Sequence, residues 1–184
     1  MTKIKHVAAP LSDKNVLDLV CGDMVYLSGV IYTARDVAHK RMLQAMDEGL
    51  DLPFDINGQV LYYVGPCPAR PPRPFGSCGP TTSFRMDAYT PALLDRGLRG
   101  MIGKGRRSQY VVDSMKKNAA VYFAAIGGAG AAISRTVKKA EIVAYEDLGP
   151  EAVYKLEIVD FPCIVAIDSA GADLYEFGPE LYRK

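Results

Sequence analysis

The chain has 184 residues, of which 49% are hydrophobic, and its 22 basic and 21 acidic side chains leave a formal net charge of +1. That length suits one domain over residues 1–184 with a substantial core. The balanced charge argues against a dedicated nucleic-acid binder, which would carry a basic excess. No long apolar run follows Met1-Thr2-Lys3-Ile4-Lys5-His6, so no signal peptide is expected, and the stretch from Ala119 to Ile133 is too short to span a bilayer. Four cysteines, Cys21, Cys67, Cys78 and Cys163, are scattered without a Cys-x-x-Cys pair. That usage suits a reducing compartment and offers no local metal site, so a cytoplasmic protein free of membrane is expected.

In chain order, Ser12-Asp13 caps a short helix through Val20, which Cys21-Gly22 ends. Met24 to Ile31 reads as a strand with an irregularity at Gly29. Tyr32-Thr33-Ala34-Arg35-Asp36 leads into a helix from Val37 to Glu48, closed by Gly49, whose Ala38, Met42, Ala45 and Met46 keep helical spacing. Asn57-Gly58 is a turn, and Gln59 to Val64 a strand. Residues 65–79 hold five prolines and form a long irregular loop, of the kind that often carries function. Thr90-Pro91 opens a helix ended by Gly97. Arg99 to Ile102 is a strand, Ser108 to Asn118 a helix and Val121 to Ile126 a buried strand. Gly127-Gly128-Ala129-Gly130 follows, then a strand from Arg135 to Tyr145. Val153 to Val159 and Cys163 to Ile167 read as two strands joined by a turn at Phe161-Pro162. Strands that alternate with helices and then run consecutively predict α/β layers with a partly mixed sheet.

Three stretches carry candidate chemistry. Gly79-Pro80-Thr81-Thr82-Ser83-Phe84-Arg85-Met86-Asp87 places three hydroxyls after a turn and before an arginine. A helix starting here would bring Thr81 beside Arg85 at free backbone amides, a plausible carboxylate or phosphate site. The same residues also make an ordinary capped helix with a solvated arginine. Arg35 and His39 lie one turn apart at a helix start and suit an anion. The plainer alternative is Arg35 paired with Asp36 and a satisfied surface or core histidine. Gly103-Lys104-Gly105 sets a lysine between permissive residues at a strand end, where α/β sheets recurrently place ligands, or else forms a solvated turn.

Two patterns point elsewhere. Gly128-Ala129-Gly130 has the opening of a dinucleotide fingerprint, but Ile133 stands where a third glycine belongs, and tight packing explains the glycines more simply. Arg70, Arg73, Arg106 and Arg107 make a basic set without a nucleic-acid motif.

Taken together, Ser28 to Arg41, Gly79 to Asp87 and Met101-Ile102-Gly103-Lys104-Gly105 resemble one family. It is the β subunit, equivalent to the C-terminal domain, of class I iron–sulfur fumarases and L-tartrate dehydratases. Tyr62 to Pro66, Ala120 to Phe123, Gly127-Gly128 and Phe161-Pro162 extend the likeness over nearly the whole chain. The resemblance implies a swivelling domain of three layers, β/β/α, with a mainly parallel central sheet. It implies a cluster-bearing α subunit as partner in a hetero-oligomer, with the [4Fe–4S] cluster held by that partner and no metal held here. The reaction implied is reversible hydration of fumarate to L-malate. By the same resemblance Arg35, Arg85 and Lys104 clamp the substrate carboxylates, and Thr81 handles the C3 proton with help from an acidic residue of the α subunit. His39, Thr82 and Gly103 stand beside these positions as further candidates.

Such cations would lower the barrier to proton abstraction, because they meet the charge that builds on the neighbouring carboxylate. Ala34 and Ala38 stand where the tartrate enzymes are expected to carry cysteines, so fumarate is favoured over tartrate. Cys78, in place of a small residue, introduces sensitivity to oxidation. Two other readings are an L-tartrate dehydratase β subunit and a non-catalytic dicarboxylate-binding module. A mononucleotide-binding domain built on Gly127 to Gly130 is a third.

Overall fold

The computed structural model describes residues 4–182, so Met1, Thr2 and Lys3 of the stretch from which no signal peptide is expected lie outside the described residues. Among the described residues seven strands and six α-helices form, in order β1 (Ile4–Ala9), α1 (Asp13–Asp18), β2 (Met24–Thr33), α2 (Asp36–Asp47), β3 (Val60–Tyr62), α3 (Thr90–Asp95), β4 (Gly100–Gly103), α4 (Gln109–Lys117), β5 (Val121–Ala124), α5 (Gly130–Ile133), β6 (Val137–Ala144), β7 (Val153–Ile167) and α6 (Leu174–Phe177). Short 3-10 turns add Ser83–Met86, Ser134–Thr136, Glu146–Glu151 and Gly178–Tyr182.

All seven strands share one mixed sheet in the order β1-β2-β3-β4-β5-β7-β6. The ladders from β1 through β5 are parallel. Every ladder made by β7 is antiparallel. Because β7 also pairs with β2, the ring β2-β3-β4-β5-β7 is closed and the sheet is partly barrel-like. The short β3, β4 and β5 alternate side chains between two cores, as a period of two requires. Val60, Tyr62, Ile102, Val121 and Phe123 enter one core with Leu27, Phe161 and Val165. Leu61, Met101 and Tyr122 face the other, which α2, α3 and α4 cover with Met42, Leu93 and Val111. Both faces are therefore buried, which is why these strands read as continuous apolar runs.

The expected boundaries mostly hold. Ser12 caps α1 through its hydroxyl, with Asn15 returning the bond to complete a capping box. Ala38 and Met42 of α2 are buried, and His39 is buried beside them. At Gly29 the β2–β7 register shifts and φ is +117°, and a Cβ there would lie 2.2 Å from the Ala9 carbonyl oxygen, so the irregularity serves close strand approach.

Other elements depart from expectation: β1, α5 and α6 form where the sequence reading places none. Phe161-Pro162 is no turn: β7 runs unbroken from Val153 to Ile167, and Pro162 pairs with Tyr26. The break read at the proline is absorbed by a bulge beside it. Leu27 opposes Phe161 while Gly29 opposes Ile158, which leaves an extra residue on β7. Asp160 takes up a left-handed conformation there, at φ +53°, and its amide donates to the Ser28 hydroxyl at 2.9 Å.

Candidate functional site

The carboxyl ends of the parallel strands β2 to β5 face one way, the position where open α/β sheets gather ligands. There β2 runs through Ala34 into Arg35, the residue that starts α2. Beyond β3 and β4 a third segment enters. The Thr81 amide donates to the Tyr63 carbonyl at 2.7 Å, the Lys104 amide to the Thr81 carbonyl at 3.3 Å, and the Ser83 amide to the Lys104 carbonyl at 2.9 Å. Thr82 and Lys104 form a parallel bridge. Residues 81–83 thus splice between the ends of β3 and β4, and the backbone groups that a helix would need are already paired. This corrects the expected helix entry: Thr82 is extended, and only one 3-10 turn follows, Ser83–Met86. Gly103 makes the splice possible, since a Cβ there would fall 1.9 Å from the Ser83 hydroxyl oxygen.

Thr81, Thr82, Gly103 and Lys104 are therefore brought together by backbone pairing. Lys104 is exposed and has no acidic partner among the described residues. Its side chain passes close to Gly127 beyond β5.

The arginines sit at the start of α2 and do not pair as local spacing suggests. Arg35 Nη2 donates to Glu151 Oε1 at 2.7 Å, across 116 residues. Asp36 instead takes Arg85, accepting from Nε at 2.9 Å and from Nη2 at 2.8 Å. Arg85 remains 47% exposed along its side chain and Arg35 26%. The two cations flank one helix end, each tethered to a carboxylate.

His39, one turn further on, is fully buried rather than part of an accessible site. No hydrogen bond of normal geometry reaches either ring nitrogen. Its ring meets Tyr63 edge-on at 5.3 Å and lies 6.0 Å from Tyr89. Burial lowers its pKa to about 4, and the Arg107 charge adds to that, against the Arg35 carbonyl and Asp36.

Arg107, read from sequence as one of a basic set, is the opposite of a surface patch. Its side chain is wholly buried, with Nε on Asp87 Oδ1 at 2.7 Å and Nη2 on the Thr90 hydroxyl at 2.7 Å. The guanidinium lies 5.5 Å and 5.2 Å from the ring centres of Tyr63 and Tyr122. Asp87 Oδ2 also accepts the Ser108 amide at the start of α4. Tyr122 carries the network outward: its hydroxyl lies 2.9 Å from that of Ser83 and donates to the Gly105 carbonyl at 2.9 Å. Ser83 and Gly105, on either side of Lys104 in space, are thus tied to one hydroxyl. Nothing in local spacing marked Asp87 or Tyr122, although their positions near Arg85 and in a buried strand were visible.

The glycines after β5 pack rather than cradle. A Cβ on Gly130 would lie 2.6 Å from the Gly79 amide nitrogen, and the Gly130 carbonyl takes the Cys78 amide. Cys78 is buried and its thiol is pushed up to about 12, mainly by that burial, so it is the exposed Cys67 that oxidants can reach. No group of three or more His, Cys, Asp or Glu among the described residues could hold a metal ion. No helix among them is long and apolar enough to cross a membrane.

The sequence profile of the family described as the fumarase C-terminus matches residues 2–178. A protein of Escherichia coli K12 named class I fumarate hydratase, anaerobic, is 40% identical over 175 residues, covering 94% of this chain but 31% of the relative. Fumarate hydratase 2 of Leishmania major is 37% identical over 84% of this chain and 28% of its own length. A Methanocaldococcus jannaschii protein, provisionally named L(+)-tartrate dehydratase subunit beta, is 38% identical, with 95% of this chain and 93% of the relative aligned. The chain spans about a third of the length of the fumarate hydratases it matches.

Proposed function

The chain belongs to the fumarase C-terminus family, and from that premise we propose that it is the β subunit of a hydro-lyase interconverting fumarate and L-malate. Residues 1–184 are read as one swivelling domain of three β/β/α layers. Two cores on opposite faces of one sheet, with helices over the second, support that reading. In this proposal the active site is completed by an α subunit that carries the [4Fe–4S] cluster. The described residues of this chain do not fit such a cluster, because its cysteines and acidic groups do not gather into a ligand set. The full-length likeness to a separate beta subunit supports the division into two chains.

One observation supports the assignment of roles: residues 81–83 splice between β3 and β4, which brings the backbone of Thr81 and Thr82 beside Lys104 at one strand end. Arg35 and Arg85 bind the substrate carboxylates together with Lys104. The charge that gathers on a carboxylate as its α-proton leaves is met by these fixed cations, donors whose loss typically costs about 3–4 kcal/mol. Thr81 carries the proton at C3, assisted by an acidic group of the partner, since a threonine hydroxyl alone is a weak base. Thr82 and Gly103 keep that segment in register. His39 packs behind Tyr63, removed from substrate. The proposed location is the cytoplasm.

The test is anaerobic co-expression with the cysteine-bearing α subunit, followed by assays of fumarate hydration and L-tartrate dehydration. Malate formed only when both chains are present supports the assignment. Oxaloacetate formed from tartrate in preference keeps the reaction class and changes the substrate to that of the tartrate dehydratases. Failure of the chains to associate or turn over either acid favours a free-standing dicarboxylate-binding module.

A further inference from the structure

A guanidinium offers two distinct two-donor edges, Nε with Nη2 and Nη1 with Nη2. Asp36 takes the first edge of Arg85 with both of its oxygens. It fixes the plane of the group and leaves the second edge for another carboxylate. Asp36 is itself held by the first turn of α2, so its aim is set by the helix rather than by a flexible loop.

Arg35 is seated in a related way. Glu151 Oε1 takes Nη2, and the other oxygen of Glu151 accepts the Val37 amide at 3.4 Å. One carboxylate thus ties the guanidinium to the open end of α2. The guanidinium lies flat on Gly65, where an added Cβ would fall 2.9 Å from both Cζ and Nη1. Its Nε is buried there without a partner. Both arginines therefore have their orientation set before any ligand arrives.

We propose that Asp36 and Glu151 are positioning residues, which hold Arg85 by one edge and Arg35 by Nη2 so that the remaining donors meet the substrate carboxylates. The inference rests on the dicarboxylate reading of the same site. It goes beyond that reading by assigning two acidic residues a favourable role next to an anionic substrate. On charge alone the opposite is expected, since each carboxylate would compete with substrate for its arginine. The two accounts predict opposite signs. Preorganisation makes removal of the carboxylate weaken binding, whereas competition makes the same removal tighten it.

The experiment uses the co-expressed complex with the α subunit, and measures kcat and KM for L-malate dehydration alongside the melting temperature. Asp36→Asn is expected to raise KM by about tenfold and lower kcat, with melting unchanged and partial rescue by Asp36→Glu. Gly65→Ala changes no charge and meets only the flexible end of Arg35, so it should fold and raise KM as Glu151→Gln does. A lower KM in Asp36→Asn overturns the proposal in favour of competition. A fall in melting temperature with KM unchanged overturns it in favour of a purely structural pair. Wild-type complex that turns over malate beside an unaffected Asp36→Asn sinks the inference alone. Wild-type complex inactive on fumarate, malate and tartrate removes the functional reading and the inference with it.

Discussion

Two arginine–aspartate pairs, which meet in sequence only where Arg85 and Asp87 stand two residues apart, contrast in their settings. Arg85–Asp36 is a forked surface pair with half of the arginine in solvent. Arg107–Asp87 is closed on every side: Thr90 takes a second donor, Met101 sulfur a third at 3.6 Å, and Tyr63 and Tyr122 pack nearby. The same ion pair thus leaves a two-donor edge open to solvent in one setting and is a structural lock in the other. What separates them is how many of the five guanidinium donors the fold consumes, not the pairing itself. A pair in water contributes little to stability, while breaking one in the interior strands a charge.

The largest effect should come from opening the lock. Arg107→Ala leaves Asp87 buried without its countercharge and should cost about 3–5 kcal/mol in denaturant unfolding. A loss under 1 kcal/mol would erase the distinction between the two pairs. The mirror experiment is Arg85→Lys, which should leave the unfolding curve unmoved and cut turnover of the complex by about a hundredfold, because an ammonium cannot reproduce the two-donor edge. Near-normal turnover would count against Arg85 as a carboxylate clamp.

His39 lies between the two pairs, with Arg107 raising the cost of its protonation and Asp36 lowering it. Its pKa is about 4 in the folded chain against an ordinary 6.5. Between those values the unfolded chain binds the proton and the folded chain does not. Stability should therefore be full above about pH 6.5 and fall by up to about 3 kcal/mol as the pH drops towards 4. His39→Phe should remove that slope from the pH dependence of unfolding, and an unchanged slope would mean that another group carries it. The smallest effect belongs to Lys117–Asp95, a pair exposed at both ends. Lys117→Ala should shift the melting temperature too little to measure, extending the comparison to its solvated limit.

Which features were legible in the sequence follows from the range of the forces that make them. The capping box at Ser12, the α2 apolar face and the β-rich run of β2 are set by residues within a turn or a pleat, and their periodicity shows. The strand-end cations Arg35 and Lys104, with Thr81, stood out through their surroundings of glycine, proline and hydroxyls. Their partners did not. Arg35 and Glu151 are 116 residues apart, and Arg85 and Asp36 are 49 apart. No local pattern couples them, so Asp36 looked like the neighbour of Arg35. Arg107 looked solvated because Arg106 beside it is, and burial is not a property of composition. Pro162 gave a true local signal, a break in the ladder, but a bulge at Asp160 accommodated it within β7.

The closure of the sheet by β7 also sets an order of events during synthesis. Strands β2, β3 and β4, which lead into Arg35, Tyr63 and Lys104, leave the ribosome long before Val153–Ile167. Until then β2 has an unpaired edge, and Leu27 and Ile31 lack their neighbours across it. The β2–β7 pairing that closes the sheet spans more than a hundred residues, a non-local contact of the kind that slows folding. The fold is complete only once β7 has paired along that edge.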